Sequence, residues 1–296
     1  MTVPISGPTR AEWRTTDGLS LIGDTWGTPD QPTVVFLHGV GQSRHAWRAA
    51  ARSVAAAGFA ARTFDARGHG ESDWAADGDY SRPRMLLDLE PVMADLARPA
   101  VLVGFSMGGD TCLLRAASSP QTVAGVVLVD VAPHVEPDGV GPVQAFLNVS
   151  LAGFVDPADA ATAVAKLNDQ PPPTDVQAAR RAMERHLRHD PTSSRWYWKW
   201  DPAHFENDPP LELRERELND AARAATAPLM LVRGALSAML SDRSVERLLD
   251  IRPDARYVNV SDAGHASSGG TNARFTDAIL SFVSDVHSTT SEVGHR

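Results

Sequence analysis

The chain has 296 residues and carries 37 acidic against 28 basic side chains, which gives a formal net charge of −9 at pH 7. This acidic balance disfavours nucleic acids and anionic membrane surfaces as partners, and 43% hydrophobic with 22% charged residues excludes a disordered or fibrous chain. A single cysteine, Cys112, excludes an internal disulfide and is typical of a reducing compartment.

Over the first 132 residues, short and almost continuously apolar runs alternate with helical patterns. The runs of this kind are Thr33–Leu37, Phe59–Phe64, Ala100–Phe105 and Val123–Val129. The helical patterns between them are Arg44–Ala57, Arg84–Leu96 and Met107–Ser118. Strands that helices cover on both faces have such runs, so the pattern predicts the mostly parallel sheet of a doubly wound α/β fold. Upstream, the turn signal Thr16-Asp17-Gly18 predicts an antiparallel hairpin at the sheet edge.

This alternation of strand and helix patterns stops at residue 133 and resumes at residue 226. The intervening segment contains short proline-rich stretches, helical patterns and the aromatic cluster Trp196-Tyr197-Trp198-Lys199-Trp200, but no pattern that convincingly indicates a buried strand. We therefore predict an all-helical cap, residues 133–225, inserted after the sixth strand of a core formed by residues 1–132 and 226–296. The second part of the core is predicted to contain strands at Pro228–Val232 and Ala255–Val260 and helices at Arg243–Leu249 and Asn272–Val286.

A serine lies at the junction between a predicted strand and a predicted helix. The segment Gly104-Phe105-Ser106-Met107-Gly108 follows the strand Ala100–Val103, and a sharp strand-to-helix turn of this type exposes the serine hydroxyl. The N–H groups and the positive dipole end of the following helix favour a developing negative charge. Ser106 is therefore the candidate nucleophile, and the alternative is a small-residue turn needed only for packing.

Two further segments end at the same edge of the predicted sheet. His38-Gly39-Val40-Gly41 can aim the Val40 N–H at the point that the Met107 N–H faces, so these two donors form the candidate oxyanion hole. Gly264-His265 follows the last strand, and His265 is the candidate general base because a serine hydroxyl needs an imidazole-like base within hydrogen-bond reach. His38 is predicted to shape its own turn rather than to act as a base.

Together these segments resemble the α/β-hydrolase-fold enzymes with a helical cap. The matching motifs are Phe36-Leu37-His38-Gly39, Asp65-Ala66-Arg67-Gly68-His69-Gly70-Glu71-Ser72, Gly104-Phe105-Ser106-Met107-Gly108-Gly109 and Ala263-Gly264-His265. The resemblance implies a serine nucleophile, a histidine base and an acid that holds the histidine, with a structural turn at Asp65–Ser72. The serine at position 106 disfavours the haloalkane dehalogenase and epoxide hydrolase branches of the family, because these use an aspartate nucleophile.

The acid is the point at which this sequence departs from the family. The family usually places it three residues past a glycine, in the turn after the strand Pro228–Val232, and this chain has Ser237 there. One candidate is Asp130, at the end of the fourth apolar run, which resembles the acid placement of zearalenone-type lactone hydrolases. The other is Asp242, whose alternative role is at the N-terminus of the next helix. We favour Asp130.

The aromatic residues of the cap indicate the kind of substrate. Trp196, Trp198, Trp200 and Phe146 are expected to contact a hydrophobic, aromatic or macrocyclic substrate, and the alternative role of the tryptophans is to dock the cap onto the core. The leading interpretation is a serine hydrolase that cleaves a small hydrophobic carboxylic ester or lactone. We expect no cofactor and no metal, because no ligand cluster has metal-binding spacing.

Other interpretations stay open. The same residues suit a cofactor-free haloperoxidase (perhydrolase) or a C–C bond hydrolase, both of which share the scaffold. A non-catalytic ligand-binding protein is a third interpretation, favoured by the absence of the usual acid and disfavoured by the Ser106 and His265 pair. No apolar run of bilayer length and no signal-peptide pattern is visible, so we expect a cytoplasmic location without a membrane partner. The sequence leaves open whether the chain forms a homo-oligomer.

Overall fold

A computed structural model describes residues 7–167, 170–205, 210–265 and 272–293. Its strands are β1 Thr9–Arg14, β2 Ser20–Trp26, β3 Thr33–Leu37, β4 Ala60–Phe64, β5 Ala100–Phe105, β6 Val123–Val129, β7 Leu187–Asp190, β8 Arg195–Trp198, β9 Leu229–Gly234 and β10 Arg256–Val260. Within these ranges, an eight-stranded sheet has the order β1-β2-β4-β3-β5-β6-β9-β10. The pairs β1–β2 and β2–β4 are antiparallel at one edge of the sheet, and the six strands β4, β3, β5, β6, β9 and β10 are parallel to one another.

Helices cover both faces of this sheet. They are α1 Arg48–Ala56, α2 Arg82–Met93, α3 Met107–Ser118, α4 Pro137–Ser150, α5 Pro157–Leu167, α6 Val176–Glu184, α7 Leu211–Ala224, α8 Asp242–Ile251 and α9 Ala273–Val293. Apolar residues of α1 and α9 pack on one face of the sheet, and those of α2, α3, α7 and α8 pack on the other. Every residue of β3, β4 and β5 is buried between these layers. The predicted doubly wound, mostly parallel α/β fold is confirmed.

The inserted cap contains strands as well as helices, which corrects the prediction of an all-helical insert. Helices α4, α5 and α6 are followed by the antiparallel hairpin of β7 and β8. The Asp190 carboxylate accepts hydrogen bonds from the N–H groups of Thr192 and Ser193 in the turn, where Ser194 has a φ of 54°. A strand of four residues is too short for its alternation of buried and exposed residues to be recognised in the sequence.

Helix α7 packs with the core, although the sequence pattern groups it with the cap. Its apolar residues Leu218, Ala221 and Ala222 belong to the same buried cluster as α3 and α8. The Arg214 guanidinium also donates two hydrogen bonds, of 2.7 and 2.6 Å, to the carboxylate of Asp110 on α3. The structure therefore places α7 in the helical layer of the core.

Main-chain hydrogen bonds join the end of the hairpin to a turn of the core. The Gly70 N–H donates to the Lys199 carbonyl at 2.6 Å, and the Asp201 N–H donates to the Gly68 carbonyl at 2.7 Å. The Tyr80 hydroxyl adds a side-chain bond of 2.5 Å to the Asp201 carboxylate. The cap is thus fixed to the core at residues 199–201.

Among the helices that the structure describes, none combines the length and the apolar character needed to cross a bilayer.

Candidate active site

Ser106 occupies a strained turn between β5 and α3. Its φ of 49° and ψ of −121° lie in a region that residues with a side chain rarely adopt. The turn is possible because its neighbours are glycines: a Cβ on Gly104 would lie 2.3 Å from the Gly108 carbonyl oxygen, and a Cβ on Gly108 would lie 2.4 Å from the Leu37 carbonyl oxygen. Strain at one residue of such a tightly packed turn is typical of a functional position.

The loop after β3 is held in place by two buried histidines. The His38 Nε2 accepts a hydrogen bond from the Ala66 N–H at 2.9 Å, and its Nδ1 lies 2.8 Å from the Gly39 carbonyl oxygen. The His69 Nε2 accepts from the Gly41 N–H at 3.1 Å. Each ring therefore needs one unprotonated nitrogen, and together they fix the backbone on both sides of Val40. His38 has the turn-shaping position that the sequence predicts.

Burial keeps both of these rings neutral. It lowers the pKa of His38 to about 4. It lowers the pKa of His69 to about 3, with a further contribution from the neighbouring His38 ring, whose centroid lies 5.1 Å away. The loop that carries Val40 thus depends on two histidines that resist protonation in the folded protein.

Acidification is expected to destabilise the fold through these rings. His69 takes up a proton near pH 6.5 in the unfolded chain but only near pH 3 in the folded one. The unfolded state binds more protons in between, so the free energy of unfolding falls as the pH drops below about 6.5, by about 2 kcal/mol at pH 5 for this ring. Urea unfolding at pH 7.5 and pH 5 should show a smaller loss for His69→Gln than for the wild type. The exposed His189→Gln variant should follow the wild type, and an equal loss in all three proteins would contradict this account.

His265 and Asp130 form a hydrogen-bonded pair beside Ser106. The His265 Nδ1 lies 2.6 Å from the Asp130 Oδ2, and because a carboxylate only accepts, Nδ1 carries the proton and the Nε2 of the neutral ring is an acceptor. The His265 ring also packs against Phe105, the residue before Ser106, with centroids 4.7 Å apart. Asp130 is fully buried, with a φ of 50°, a conformation that aspartate tolerates better than most residues.

The structure brings only one of the two candidate acids to His265. Asp242 is the first residue of α8, follows the N-cap Ser241 and leaves its side chain 90% exposed. Its carboxylate pairs with the Arg233 guanidinium at 2.5 Å. Of the two candidates considered, Asp130 therefore has the contact with His265, and Asp242 has the helix-terminal position.

A cavity of about 1110 Å³ lies between the core and the cap. Ser106, His265, Val40 and Met107 all line it, and Phe146 and Trp198 line it from the cap side. The candidate nucleophile, the candidate base and the two residues of the candidate oxyanion hole therefore line one common cavity.

Trp196 and Trp200 are not among the residues that line this cavity, contrary to the expectation that both contact substrate. Trp196 lies nearer the hairpin turn, where it pairs with Phe154 through two main-chain bonds of 2.7 and 2.8 Å. Trp200 lies past the end of β8 and bridges to His69 of the core. Trp196 therefore makes its contacts within the cap, and only Trp200, whose indole also lies close to Gly41, is placed to dock the cap onto the core. Trp47 of the core is fully buried and donates its indole N–H to the Leu37 carbonyl at 3.0 Å.

Two groups that sequence reasoning missed also bind the Asp130 carboxylate. The Gly234 N–H donates to Oδ1 at 2.9 Å, and the Ser237 hydroxyl donates to Oδ2 at 2.5 Å. The unusual serine at position 237 was the available signal, but a sequence alone does not show that its hydroxyl reaches the neighbouring strand. Within the described ranges, no three or more His, Cys, Asp or Glu side chains come together as metal ligands.

Comparison with known proteins agrees with this fold. A family model described as the alpha/beta hydrolase fold matches residues 32–268, and the chain belongs to that family. A crystal structure of an alpha/beta hydrolase from Novosphingobium aromaticivorans is similar to it with a TM-score of 0.78 and 26% identity, over 95% of this chain and 99% of that one.

Curated relatives are esterases and other hydrolases. Esterase Rv0045c of Mycobacterium tuberculosis is 32% identical over 251 residues, which cover 81% of this chain and 78% of the relative. The 2-(acetamidomethylene)succinate hydrolase of Mesorhizobium japonicum is 27% identical over 273 residues, which cover 85% of this chain and 88% of the relative. Each similarity covers more than four fifths of this chain.

Proposed function

We propose that the protein is a serine hydrolase that cleaves a carboxylic ester or lactone of a hydrophobic, uncharged substrate. The observation that carries the proposal is the 2.6 Å contact between the His265 Nδ1 and the Asp130 Oδ2, in a cavity that His265 shares with the strained Ser106. The similarity to a curated esterase supports the ester as the bond cleaved.

The proposed reaction passes through an acyl-enzyme. The Ser106 Oγ attacks the substrate carbonyl carbon while the His265 Nε2 takes its proton, and Asp130 holds the resulting imidazolium. The N–H groups of Val40 and Met107 stabilise the oxyanion. The C–O bond to the alcohol then breaks, and the alcohol leaves with the proton from His265. Water, deprotonated by His265, then attacks the acyl-enzyme; the bond to the Ser106 Oγ breaks, His265 returns the proton to that oxygen, and the acid is released.

The size and the walls of the cavity support a hydrophobic substrate. Its volume of about 1110 Å³ is slightly larger than the roughly 300–1,000 Å³ of ordinary ligand sites. Apolar side chains of the cap form one side of it: Val143, Phe146, Leu147, Val164, Met183 and Trp198. A space of this size accepts an aromatic or macrocyclic acyl group, in line with the expectation from the aromatic cluster.

The charges in the cavity wall support an uncharged substrate. The described lining residues include the carboxylates Asp77, Asp79, Asp110 and Glu217 and the guanidinium groups Arg82 and Arg214. Each guanidinium is already paired within the wall, Arg82 with Glu217 at 2.6 Å and Arg214 with Asp110 at 2.6 Å. Asp79 is paired as well, with Arg84 at 3.0 Å. A substrate carboxylate would therefore meet guanidinium groups that are already paired and a small excess of negative charge, and like charges raise the cost of binding.

A pair of esters of equal chain length tests this charge selection. We expect 4-nitrophenyl hexanoate to be hydrolysed with a kcat/KM at least about 10-fold higher than that of mono-4-nitrophenyl adipate, whose acyl chain ends in a carboxylate. The ratio should narrow when the ionic strength is raised, because salt screens the repulsion. A ratio near one at both ionic strengths would argue against an uncharged substrate.

Labelling with a fluorophosphonate tests the hydrolase itself. We expect intact-mass spectrometry to show one adduct on the wild type and none on Ser106→Ala, because the probe reacts only with an activated serine. The serines Ser106 and Ser43 both line the cavity, so Ser43→Ala is a matched control that should label like the wild type. A folded wild-type protein that takes no adduct would refute the proposal and favour a ligand-binding role.

A further inference from the structure

Ser237 stands beside the pair formed by Asp130 and His265, in the turn that follows β9. Its hydroxyl lies 2.5 Å from the Asp130 Oδ2, the same oxygen that accepts the His265 Nδ1–H. The residue is 7% exposed, so water does not compete strongly for this bond. A hydroxyl therefore occupies the place where the family usually has its carboxylate, and it points at the carboxylate that replaces it.

The direction of the Ser237 hydrogen bond is fixed by its neighbours. The Met239 N–H donates to the Ser237 Oγ at 3.2 Å, which uses the hydroxyl as an acceptor. A carboxylate has no proton to give, so the single hydroxyl proton of Ser237 goes to Asp130. The contact is a charge-assisted bond, the stronger kind of hydrogen bond.

The Asp130 carboxylate is held at both of its oxygen atoms. The Gly234 N–H binds Oδ1 at 2.9 Å, and the Asp130 N–H is itself bound to the Val232 carbonyl at 2.8 Å. Without Ser237, the Oδ2 atom would have His265 as its one partner among these contacts. The histidine alternates between its neutral and its protonated form during catalysis. A second donor on Oδ2 therefore keeps the carboxylate in place through both states.

We propose that Ser237 is a positioning residue, which orients the Asp130 carboxylate so that Oδ2 faces the His265 Nδ1 throughout the reaction. This inference rests on the proposed hydrolase function. A purely structural role is the competing explanation, because the Ser237 N–H also closes the turn by donating to the Gly234 carbonyl at 2.9 Å. That main-chain bond survives substitution of the side chain, whereas the bond to Asp130 does not.

Kinetics of Ser237→Ala with 4-nitrophenyl hexanoate separate the two roles. We expect kcat to fall about 5- to 20-fold with KM changed less than two-fold, because the substituted group acts on the reacting histidine and not on substrate. Thr33→Val removes another buried hydroxyl, one that donates to the Gln31 carbonyl oxygen at 2.9 Å and lies at the start of β3, the end of that strand away from the site. It should lower thermal stability without this selective loss of kcat. If Ser237→Ala does not fold, Ser237→Cys, close in size but a weaker donor, serves for the same comparison.

A double-mutant cycle then shows whether Ser237 acts through Asp130. In the Asp130→Asn background, Ser237→Ala should change kcat less than two-fold, because the carboxylate that it orients is gone. The full 5- to 20-fold loss in both backgrounds, or no loss of kcat in the wild-type background, would overturn the inference. If the wild type itself hydrolyses no ester and takes no fluorophosphonate adduct, the proposed function fails and this inference with it. An active wild type with an equally active Ser237→Ala variant removes this inference alone.

Discussion

Asp130→Asn is expected to lower kcat by about 10⁴-fold, the loss seen when the acid of a serine protease triad becomes an amide. An asparagine at position 130 can keep the left-handed backbone and the contact with the Gly234 N–H. It can no longer provide a charge to hold the His265 Nδ1–H and the imidazolium that forms in the reaction. The loss should therefore appear in kcat with 4-nitrophenyl hexanoate, with little change in thermal stability.

Asp242→Asn is the matched control for that experiment. Its side chain is 90% exposed and pairs only with Arg233 among the contacts described above, and exposed pairs contribute little, about 0–1 kcal/mol. We expect kcat within two-fold of the wild type and a small loss of stability from the first turn of α8. The reverse result, with activity lost in Asp242→Asn and kept in Asp130→Asn, would contradict the assignment of Asp130 as the acid.

Asp65→Asn is expected to reduce the free energy of unfolding by about 3 kcal/mol, the low end of the range for breaking a buried ion pair. The Asp65 side chain is fully buried, pairs with the Arg44 guanidinium and accepts the N–H groups of Arg44 at 2.6 Å and Glu71 at 2.9 Å. Arg44 is 4% exposed, so it would keep its charge with fewer partners. Two of these, Asp24 and Glu71, remain, which is why the loss is not larger.

Urea unfolding at neutral pH measures this loss. Asp220→Asn is the control, because the Asp220 and Arg223 side chains are 79% and 59% exposed and such surface changes stay within about 0.5 kcal/mol. We also expect Asp65→Asn to lower ester turnover, since Asp65 lies in the same turn as His69, which holds the Gly41 N–H. Equal stability of the two variants would show that the Arg44 cluster contributes far less than its burial indicates.

The core of the fold could be predicted from the sequence because burial on both faces leaves a clear pattern. Strands such as β3 and β5 lie between two helical layers, so nearly every residue is apolar. The hairpin of β7 and β8 has no such pattern, since its four-residue strands are partly exposed and lie at the edge of the cap. Short strands that pack on one side depend on tertiary contacts that a sequence does not display.

In the candidate site, too, one part could be predicted from the sequence and another part could not. Ser106, Asp130 and His265 follow parallel strands, and the carboxyl ends of such strands meet at one edge of a sheet, so their proximity could be predicted. Trp196 and Trp198 are two residues apart in β8, which puts them on the same face of the hairpin, yet only Trp198 of the two lines the cavity. Which of several neighbouring side chains faces a ligand depends on the exact placement of the cap.

The attachment of the cap at residues 199–201 has a consequence for protein engineering. The bonds of 2.6 and 2.7 Å to the turn at Gly68 and Gly70 use main-chain atoms, so they survive almost any change of side chain in the cap. Cap segments with other substrate specificities can therefore be grafted in place of residues 133–198, provided that residues 199–201 and the turn at Gly68 and Gly70 are retained. A graft whose junction falls inside residues 199–201 would instead break the attachment of the new cap segment to the turn that contains His69. The new segment would then also lose its link to the loop that carries Val40.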